Sequence, residues 1–175
     1  MITLRPATAA DTAELEALIA RSARGLSAAD YDAQEIEALI AYIFGIDSEV
    51  VADGTYLVAE IDGVAAGCGG WSRRRTLFGG DRFAARESGL LDPATDAAKI
   101  RAFFVDPAFA RRGVGAAILA ACEAGAIAAG FRRLELMATL PGVPFYAAAG
   151  YAALPRIQVQ AGPCTIGFRP MVKRV

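Results

Sequence analysis

The sequence contains no histidine and only three cysteines among 175 residues. Without histidine, the usual general base of serine and cysteine nucleophiles is missing, and so is the commonest metal ligand. Cys68, Cys122 and Cys164 are odd in number, far apart and without Cys-x-x-Cys spacing. This pattern indicates reduced, mostly buried thiols rather than a disulfide framework or a zinc site, and we predict no metal.

The chain also lacks an excess of charge and a long hydrophobic run. Eighteen Lys and Arg residues against 19 Asp and Glu residues give a formal net charge of −1. We therefore predict neither nucleic acid nor a membrane as a partner. The most apolar stretch, 113–130, is interrupted by Glu123 and is shorter than the roughly 20 apolar residues of a membrane span. Arg5 and Asp11 interrupt the N-terminal segment, unlike a secretory signal, so we expect a cytoplasmic location.

The sequence does have a high apolar content and alternating signals for strands and helices. With 55% hydrophobic residues it can bury one sizeable core, and its length predicts a single domain over residues 1–175. Asp62-Gly63 separates two apolar runs, as in a β-hairpin. A strand, helix and strand over 99–139 predict a parallel strand pair. These signals predict an α/β fold with a mixed sheet of about six or seven strands.

Several element boundaries also follow from local signals. Thr8 and Asp11 predict the start of the first helix, Gly25 predicts its end, and Ser27 is expected to cap the second helix. One strand is predicted from 151 to 160. The segment 72–98 matches no regular element, and a loop of that length in a compact domain is usually functional or partly structured.

A phosphate-binding turn is indicated by the stretch 100–115, in which an apolar strand leads through Arg111 and Arg112 to two glycines that open a helix. The first N–H groups of a helix have no partner within it and lie at the positive end of its dipole, so they bind anions. Gly113 and Gly115 allow close approach to the backbone. A dinucleotide fingerprint is disfavoured because Ile118 stands where a third glycine is needed, and no Walker A tripeptide occurs. A simple tight turn with solvated arginines remains the alternative.

Three segments together carry a resemblance to a known family. Val105-Asp106-Pro107, the glycine turn at 110–115 and a Phe-Tyr-x-x-x-Gly-Tyr segment at 145–151 occur in this order. The chain resembles the GCN5-related N-acetyltransferase (GNAT) family over nearly its whole length. Ala110 and Thr139 depart from the Arg or Gln and the Asn that are usual in that family.

The resemblance implies a single GNAT-like domain whose mixed central sheet is flanked by about four helices. It implies acetyl-coenzyme A as co-substrate, its pantetheine arm hydrogen-bonded to the strand ending at Val105 like an added strand, and its pyrophosphate at the glycine turn. The cofactor-binding residues that it implies are Phe103, Phe104, Val105, Arg111, Arg112, Gly113, Val114, Gly115 and Ala116.

For the chemistry, the resemblance implies direct acetyl transfer to an amine, with Tyr146 as the acid that protonates the leaving thiolate. A phenol suits this role if the site lowers its pKa or solvates the thiolate poorly; otherwise Tyr146 only packs under the last strand. A backbone N–H near Phe104 is the implied oxyanion donor. Glu135 and Glu60 are candidate bases, each of which could equally face solvent, and water could relay the proton instead.

The acceptor is less well defined by the sequence. Trp71 and Arg73, with the arginines that follow, could recognise an anionic acceptor, and Glu135 is a further candidate acceptor contact; a core tryptophan and a solvated loop are the alternative. The function expected first is acetylation of a small amine or amino-acid-like metabolite. A protein amine acceptor and a non-catalytic coenzyme A sensor are the alternatives. A homodimer formed through the 164–173 strand is possible, unless that strand closes the sheet of the monomer.

Overall fold

Eight strands form one mixed sheet in the computed structural model, which describes all of residues 1–175. The strands are β1 (Ile2–Pro6), β2 (Tyr56–Ile61), β3 (Val64–Ser72), β4 (Ala98–Val105), β5 (Arg133–Thr139), β6 (Ala152–Ala153), β7 (Ile157–Ala161) and β8 (Cys164–Arg174). The α-helices are α1 (Thr12–Leu26), α2 (Ala33–Tyr42), α3 (Ser48–Ala52), α4 (Val114–Ala128) and α5 (Val143–Ala148). The predicted α/β class with a mixed sheet is confirmed, with one strand and one helix more than expected.

The sheet has one parallel neighbouring pair, β4 and β5, as the strand–helix–strand unit predicts. The strand order is β1-β2-β3-β4-β5-β8-β6, and β7 pairs with β8. Strands β4 and β5 share only two register pairs, Ala98 with Leu134 and Lys99 with Glu135. Beyond these pairs the two strands have no ladder, and a gap opens toward the carboxyl end of β4.

A β-bulge in β4 shapes this gap. Cys68 pairs with Phe104 and Gly70 with Arg101, so two residues of β4 stand opposite Gly69. The first of these is Ala102, whose φ of +53° lies in the left-handed region. Bulges of this kind redirect side chains next to functional sites. A Cβ at position 69 would lie 2.6 Å from the Phe103 ring, which is why a glycine stands there.

The core lies in two clusters, one on each face of the sheet. The first contains buried residues of α1 and α2, such as Leu18 and Leu39. The second contains the apolar side of α4, with Ile118 and Leu119. Because neighbouring residues of a strand face opposite sides, Phe104 packs against the first cluster and Phe103 against the second.

Some predicted boundaries are wrong for identifiable reasons. α1 continues through Gly25 to Leu26. This glycine serves packing rather than termination, because a Cβ there would lie 2.4 Å from Cγ of Pro107. Asp32, not Ser27, caps α2: its carboxylate accepts the Glu35 N–H at 2.8 Å and the Glu35 carboxylate accepts its N–H at 2.9 Å. This capping box is a stronger start signal than a lone serine.

The remaining differences concern the 47–53 and 151–160 segments. α3 was not expected; Asp47 caps it by accepting the N–H groups of Glu49 and Val50. The single strand expected at 151–160 is two, β6 and β7, interrupted at 154–156.

Strand β8 is paired within the chain along both of its edges. It bonds to β5 on one side and to β6 and β7 on the other. Strand β8 therefore closes the sheet of the monomer, and a homodimer stays a prediction. No helix of the protein is both long and apolar enough to cross a membrane.

Candidate active site

A cavity of about 550 Å³ occupies the gap between β4 and β5. Its walls come from the carboxyl half of β4, the start of α4, α5 and the preceding turn, the end of α1, and two short segments at 43–45 and 78–80. The sequence-predicted binding strand, glycine turn and tyrosine segment therefore meet in one place. Long-range pairing of β3, β4 and β5 brings them together.

The glycine turn forms an anion-binding cradle at one end of the cavity. Gly113 precedes α4 with φ of +83°, and Arg111 also has a positive φ of +63°. The first intrahelical bond runs from the Ala117 N–H to the Gly113 carbonyl at 3.0 Å. The N–H groups of the three residues between them have no partner within the helix and are free for an anion.

Of the predicted cradle residues, all but Arg112 line the cavity. Arg111 is exposed and lies at the cavity wall, next to the helix start. The guanidinium of Arg112 lies outside, 5.3 Å from the centre of the Phe109 ring. Arg112 can therefore reach an anion only from the rim, whereas Arg111 lies at the cradle itself.

The β4 edge supplies the second predicted binding feature. Phe103, Phe104 and Val105 line the cavity. Since β4 has no ladder with β5 after Lys99, the backbone groups on that edge are available to an extended, amide-bearing ligand. The ligand would then complete the pairing that β5 leaves open.

A buried tyrosine that the sequence did not single out supports the bulge. The Tyr56 hydroxyl donates a hydrogen bond of 2.9 Å to the Ala102 carbonyl, and the Tyr56 side chain is fully buried. Burial raises the pKa of Tyr56 well above its usual value, so the hydroxyl keeps its proton and remains a donor. Only the three-dimensional pairing of β2, β3 and β4 reveals this contact.

Tyr146 lines the cavity from α5, as the sequence predicts. Its ring packs edge-on against Phe103, Phe145 and Tyr151, with centroids 6.2, 4.9 and 5.8 Å away. Its hydroxyl has no hydrogen-bond partner in the protein. Burial, with a smaller effect of the nearby Cys122, raises the pKa of Tyr146 above its usual value. An acid role requires either a lowered phenol pKa or a poorly solvated thiolate. The first condition is therefore not met, and only the second can support the role.

Behind Tyr146, a charged network fixes the neighbouring ring. The Tyr151 hydroxyl donates to Glu123 Oε1 at 3.0 Å, and Lys173 Nζ lies 2.9 Å from both carboxylate oxygens. Tyr151 therefore has its hydroxyl occupied, whereas Tyr146 has its hydroxyl free. The two tyrosines are a natural pair for comparing a structural with a chemical role.

The sequence model described as "Acetyltransferase (GNAT) family" matches residues 12–151, which is most of the chain. The protein belongs to the GNAT acetyltransferase family. Members of this family are enzymes that transfer an acetyl group to an amino group. No curated protein matches this GNAT chain significantly.

Solved structures with the same fold cover nearly all of this GNAT chain. A GCN5-related N-acetyltransferase from Rhodopseudomonas palustris is 25% identical with a TM-score of 0.75, covering 99% of this chain and 95% of its own. The PaiA N-acetyltransferase from Thermoplasma acidophilum, solved with coenzyme A, is 16% identical with a TM-score of 0.66, covering 100% and 99%. A polyamine N-acetyltransferase from Drosophila melanogaster is 15% identical with a TM-score of 0.63, covering 100% of both chains.

The acceptor residues expected from the sequence do not reach the cavity of this GNAT protein. β3 runs antiparallel to β4, so Trp71 pairs with Ile100 and Ser72 with Lys99. Arg73, the next residue in the chain, therefore lies beside the first residues of β4, at the end of that strand away from the cradle. The Trp71 ring packs under α4, 6.2 Å from the Phe131 ring, and a Cβ on Gly125 would lie 2.6 Å from its Nε1. Trp71 is thus a packing residue, and Arg73 is exposed outside the cavity.

The two carboxylates considered as bases are also engaged elsewhere. Glu135 forms an ion pair with Lys99, its register partner across β4 and β5. Glu60 accepts a hydrogen bond from Arg5 Nε at 2.8 Å on the other side of β3. Neither carboxylate lines the cavity. No group of three or more His, Cys, Asp or Glu side chains is arranged to hold a metal ion.

A further part of the cavity wall comes from a segment that the sequence left unassigned. Phe78, Gly79 and Gly80 of the 72–98 segment line the cavity together with 43–45. Arg101 holds this wall in place: its guanidinium donates to the carbonyls of Thr76 and Gly79 at 2.8 and 2.6 Å and to Asp47 at 2.7 Å. Arg101 and Asp47 are each only 1% exposed, so this ion pair is a buried link between β4 and this part of the cavity wall.

Proposed function

We propose that residues 1–175 form a single N-acetyltransferase domain that transfers acetyl from acetyl-coenzyme A directly to the primary amine of a small metabolite. The observation that carries the proposal is one cavity containing the α4 cradle, the unpaired edge of β4 and the free hydroxyl of Tyr146. These three features fit, in order, a pyrophosphate, an amide-bearing arm and a thioester sulfur.

The binding roles follow from the available donors. The N–H groups of Val114, Gly115 and Ala116, with the Arg111 guanidinium, would hold the pyrophosphate. The absence of a Cβ at Gly115 leaves space for the pyrophosphate beside the helix start. A Cβ there would lie in tight contact with the Phe145 ring, 3.3 Å away. The backbone of Phe103 and Val105 would bind the pantetheine amides. Acetyl-coenzyme A supplies the activated acyl group.

The chemistry needs little from charged side chains. The amine nitrogen forms a bond to the acetyl carbonyl carbon, the carbon–sulfur bond breaks, and its electron pair stays on sulfur. A backbone N–H near Phe104 would stabilise the developing oxyanion. Tyr146 would give its proton to the thiolate and regain one from the nitrogen, directly or through water. Its raised pKa makes it a weak acid, and a desolvated thiolate is basic enough to take the proton.

A small acceptor is favoured over a protein by the wall at 43–45 and 78–80. These segments line the cavity of about 550 Å³, a size that suits a small amine, whereas a peptide would need an open groove. Tyr146 favours an enzyme over a coenzyme A sensor, since a pure binder has no use for a free phenol. The three unpaired cysteines fit a reducing compartment, and a cytoplasmic location stays a prediction.

The test compares Tyr146→Phe with Tyr151→Phe. Each variant loses one hydroxyl from neighbouring rings, but only the hydroxyl of Tyr146 is free in the cavity. Tyr146→Phe is expected to lower kcat about 10²-fold or more while acetyl-coenzyme A affinity changes little, measured by thiol release and calorimetry. Tyr151→Phe should keep kcat within a few-fold. An unchanged kcat in Tyr146→Phe would remove it as the acid.

A further inference from the structure

The acceptor end of the cavity is built from aromatic rings. Four phenylalanines from different parts of the chain line it, and we call them the aromatic wall: Phe44, Phe78, Phe104 and Phe168. The rings of Phe44 and Phe104 lie 5.0 Å apart edge-on, and those of Phe78 and Phe168 lie 5.5 Å apart. Ile43 and Met137 complete an apolar lining at this end.

The polar side chains that line the whole cavity are few. Besides Arg111 and Tyr146 they are three hydroxyl residues, Ser22, Ser27 and Thr139. No aspartate, glutamate or lysine lines it. Arg111 belongs to the cradle end, so the acceptor end carries no charged side chain.

The carboxylates closest to the cavity already have hydrogen-bond and ion-pair partners within the protein. Glu16 accepts the Ile46 N–H at 2.8 Å and forms an ion pair with Arg82. Asp47 is paired with Arg101 and with Arg86, and is almost fully buried. Turning either carboxylate toward an acceptor would leave a buried arginine or a backbone N–H unpaired, which is unfavourable.

A charge on the acceptor body would therefore find no partner. A carboxylate or phosphate would meet no cation at the aromatic wall, and a second ammonium would meet no anion. Burying an unpaired charge in an apolar site is strongly unfavourable, whereas burying hydrocarbon is favourable. Shape adds to this selection, because the edge-on Phe44–Phe104 pair and the tilted Phe78–Phe168 pair offer apolar ring surfaces to another ring.

We propose that the acceptor is a primary monoamine with an apolar body, of aromatic or branched hydrocarbon type, that carries no carboxylate, phosphate or second ammonium. This inference rests on the proposed function and adds the substrate class. It also accounts for the missing general base. Desolvation at the aromatic wall disfavours an ammonium, so the amine loses its proton to water and enters neutral.

The direct experiment measures kcat/KM for amines that differ in one charge. The amines are 2-phenylethylamine, phenylalanine with the same body and a carboxylate, agmatine and 1,4-diaminobutane with a second cationic group, and a short peptide with a free N-terminal alanine. We expect 2-phenylethylamine to exceed each of the others at least about tenfold, the effect of about 1.4 kcal/mol of discrimination.

Two substitutions of one residue test whether the aromatic wall sets the preference for an uncharged acceptor body. Phe78 is partly buried in an irregular segment, where a polar replacement is tolerated better than in a strand. Phe78→Glu should raise the ratio of 1,4-diaminobutane to 2-phenylethylamine activity about tenfold or more, because the diamine gains a counter-charge. Phe78→Gln has the same size without the charge, and it should leave that ratio nearly unchanged.

The outcomes separate the inference from the function on which it rests. If phenylalanine, agmatine, the diamine or the peptide is the best acceptor, the substrate class is wrong and the acetyltransferase stands. If no amine is acetylated while acetyl-coenzyme A still binds, both proposals fail. Equal shifts of the ratio in Phe78→Glu and Phe78→Gln would also overturn the charge argument.

Discussion

The hydroxyl of Tyr56 donates a hydrogen bond to the carbonyl oxygen of Ala102 at 2.9 Å, and this contact links β2 to the bulge of β4. Ala102 adopts a left-handed backbone conformation that costs about 1–2 kcal/mol for a residue with a Cβ. Its neighbours Phe103 and Phe104 face opposite sides of the sheet, and both line the cavity. The bulge therefore sets the geometry of the strand along which acetyl-coenzyme A is proposed to lie.

Replacing Tyr56 with phenylalanine should damage catalysis as well as stability. The Ala102 carbonyl would lose its buried partner, which costs about 1–3 kcal/mol, and the bulge would relax. Tyr31→Phe is the matched control, since its buried hydroxyl also bonds backbone, at the Gly167 carbonyl and the Leu140 N–H. Chemical denaturation should show a loss of stability in both variants, and thiol release should show a lower kcat only in Tyr56→Phe. Equal kcat in the two variants would contradict a role for this contact.

Glu135 should matter for stability and not for turnover. Its carboxylate neutralises Lys99, a buried lysine whose pKa is lowered by desolvation, so Glu135→Gln leaves a poorly solvated ammonium. We expect a loss of about 1–3 kcal/mol in unfolding free energy and an unchanged kcat/KM. Glu60→Gln breaks a more exposed pair with Arg5 and should cost less than about 1 kcal/mol. A large fall in kcat with stability intact would identify Glu135 as the missing base.

The pH dependence of kcat/KM should rise toward alkaline pH and then level. The rise follows the acceptor amine, which reacts only without its proton. Burial raises the pKa of Tyr146, so the phenol stays protonated beyond its usual pKa of about 10 and removes no activity below that pH. The measurement is a profile from pH 6 to 10, with unfolding followed in parallel. A descending limb at pH 8–9 in the wild type that is absent in Tyr146→Phe would contradict the high phenol pKa.

The cofactor end of the site could be predicted from the sequence because its determinants are local. Gly113 and Gly115 follow a strand and open a helix within one short segment, and Tyr146 lies in a compact motif. Backbone N–H groups at a helix start need only the correct turn. For this reason the residue types and their spacing were enough to predict the cradle.

The acceptor end could not be predicted, because its determinants are distant in sequence. Trp71 and Glu135 are close to the site along the chain, but the antiparallel register of β3 and the pairing with Lys99 place them away from the cavity. Phe44, Phe78 and Phe168 carry no local signal of a shared surface. Likewise, nothing in the sequence indicates that Tyr56 supports Ala102.

The cradle at α4 is proposed to bind acetyl-coenzyme A, and a calorimetric titration tests this binding most directly. The wild type should bind with saturation at one site, and Gly113→Glu should lose binding through charge repulsion and bulk at the helix start. Gly54→Glu is the control, because Gly54 also has a positive φ of +72° and open space around it but lies away from the cavity. Retained binding in the control with loss in Gly113→Glu is the predicted result. Undiminished binding in folded Gly113→Glu, or no binding to the wild type, would contradict the account.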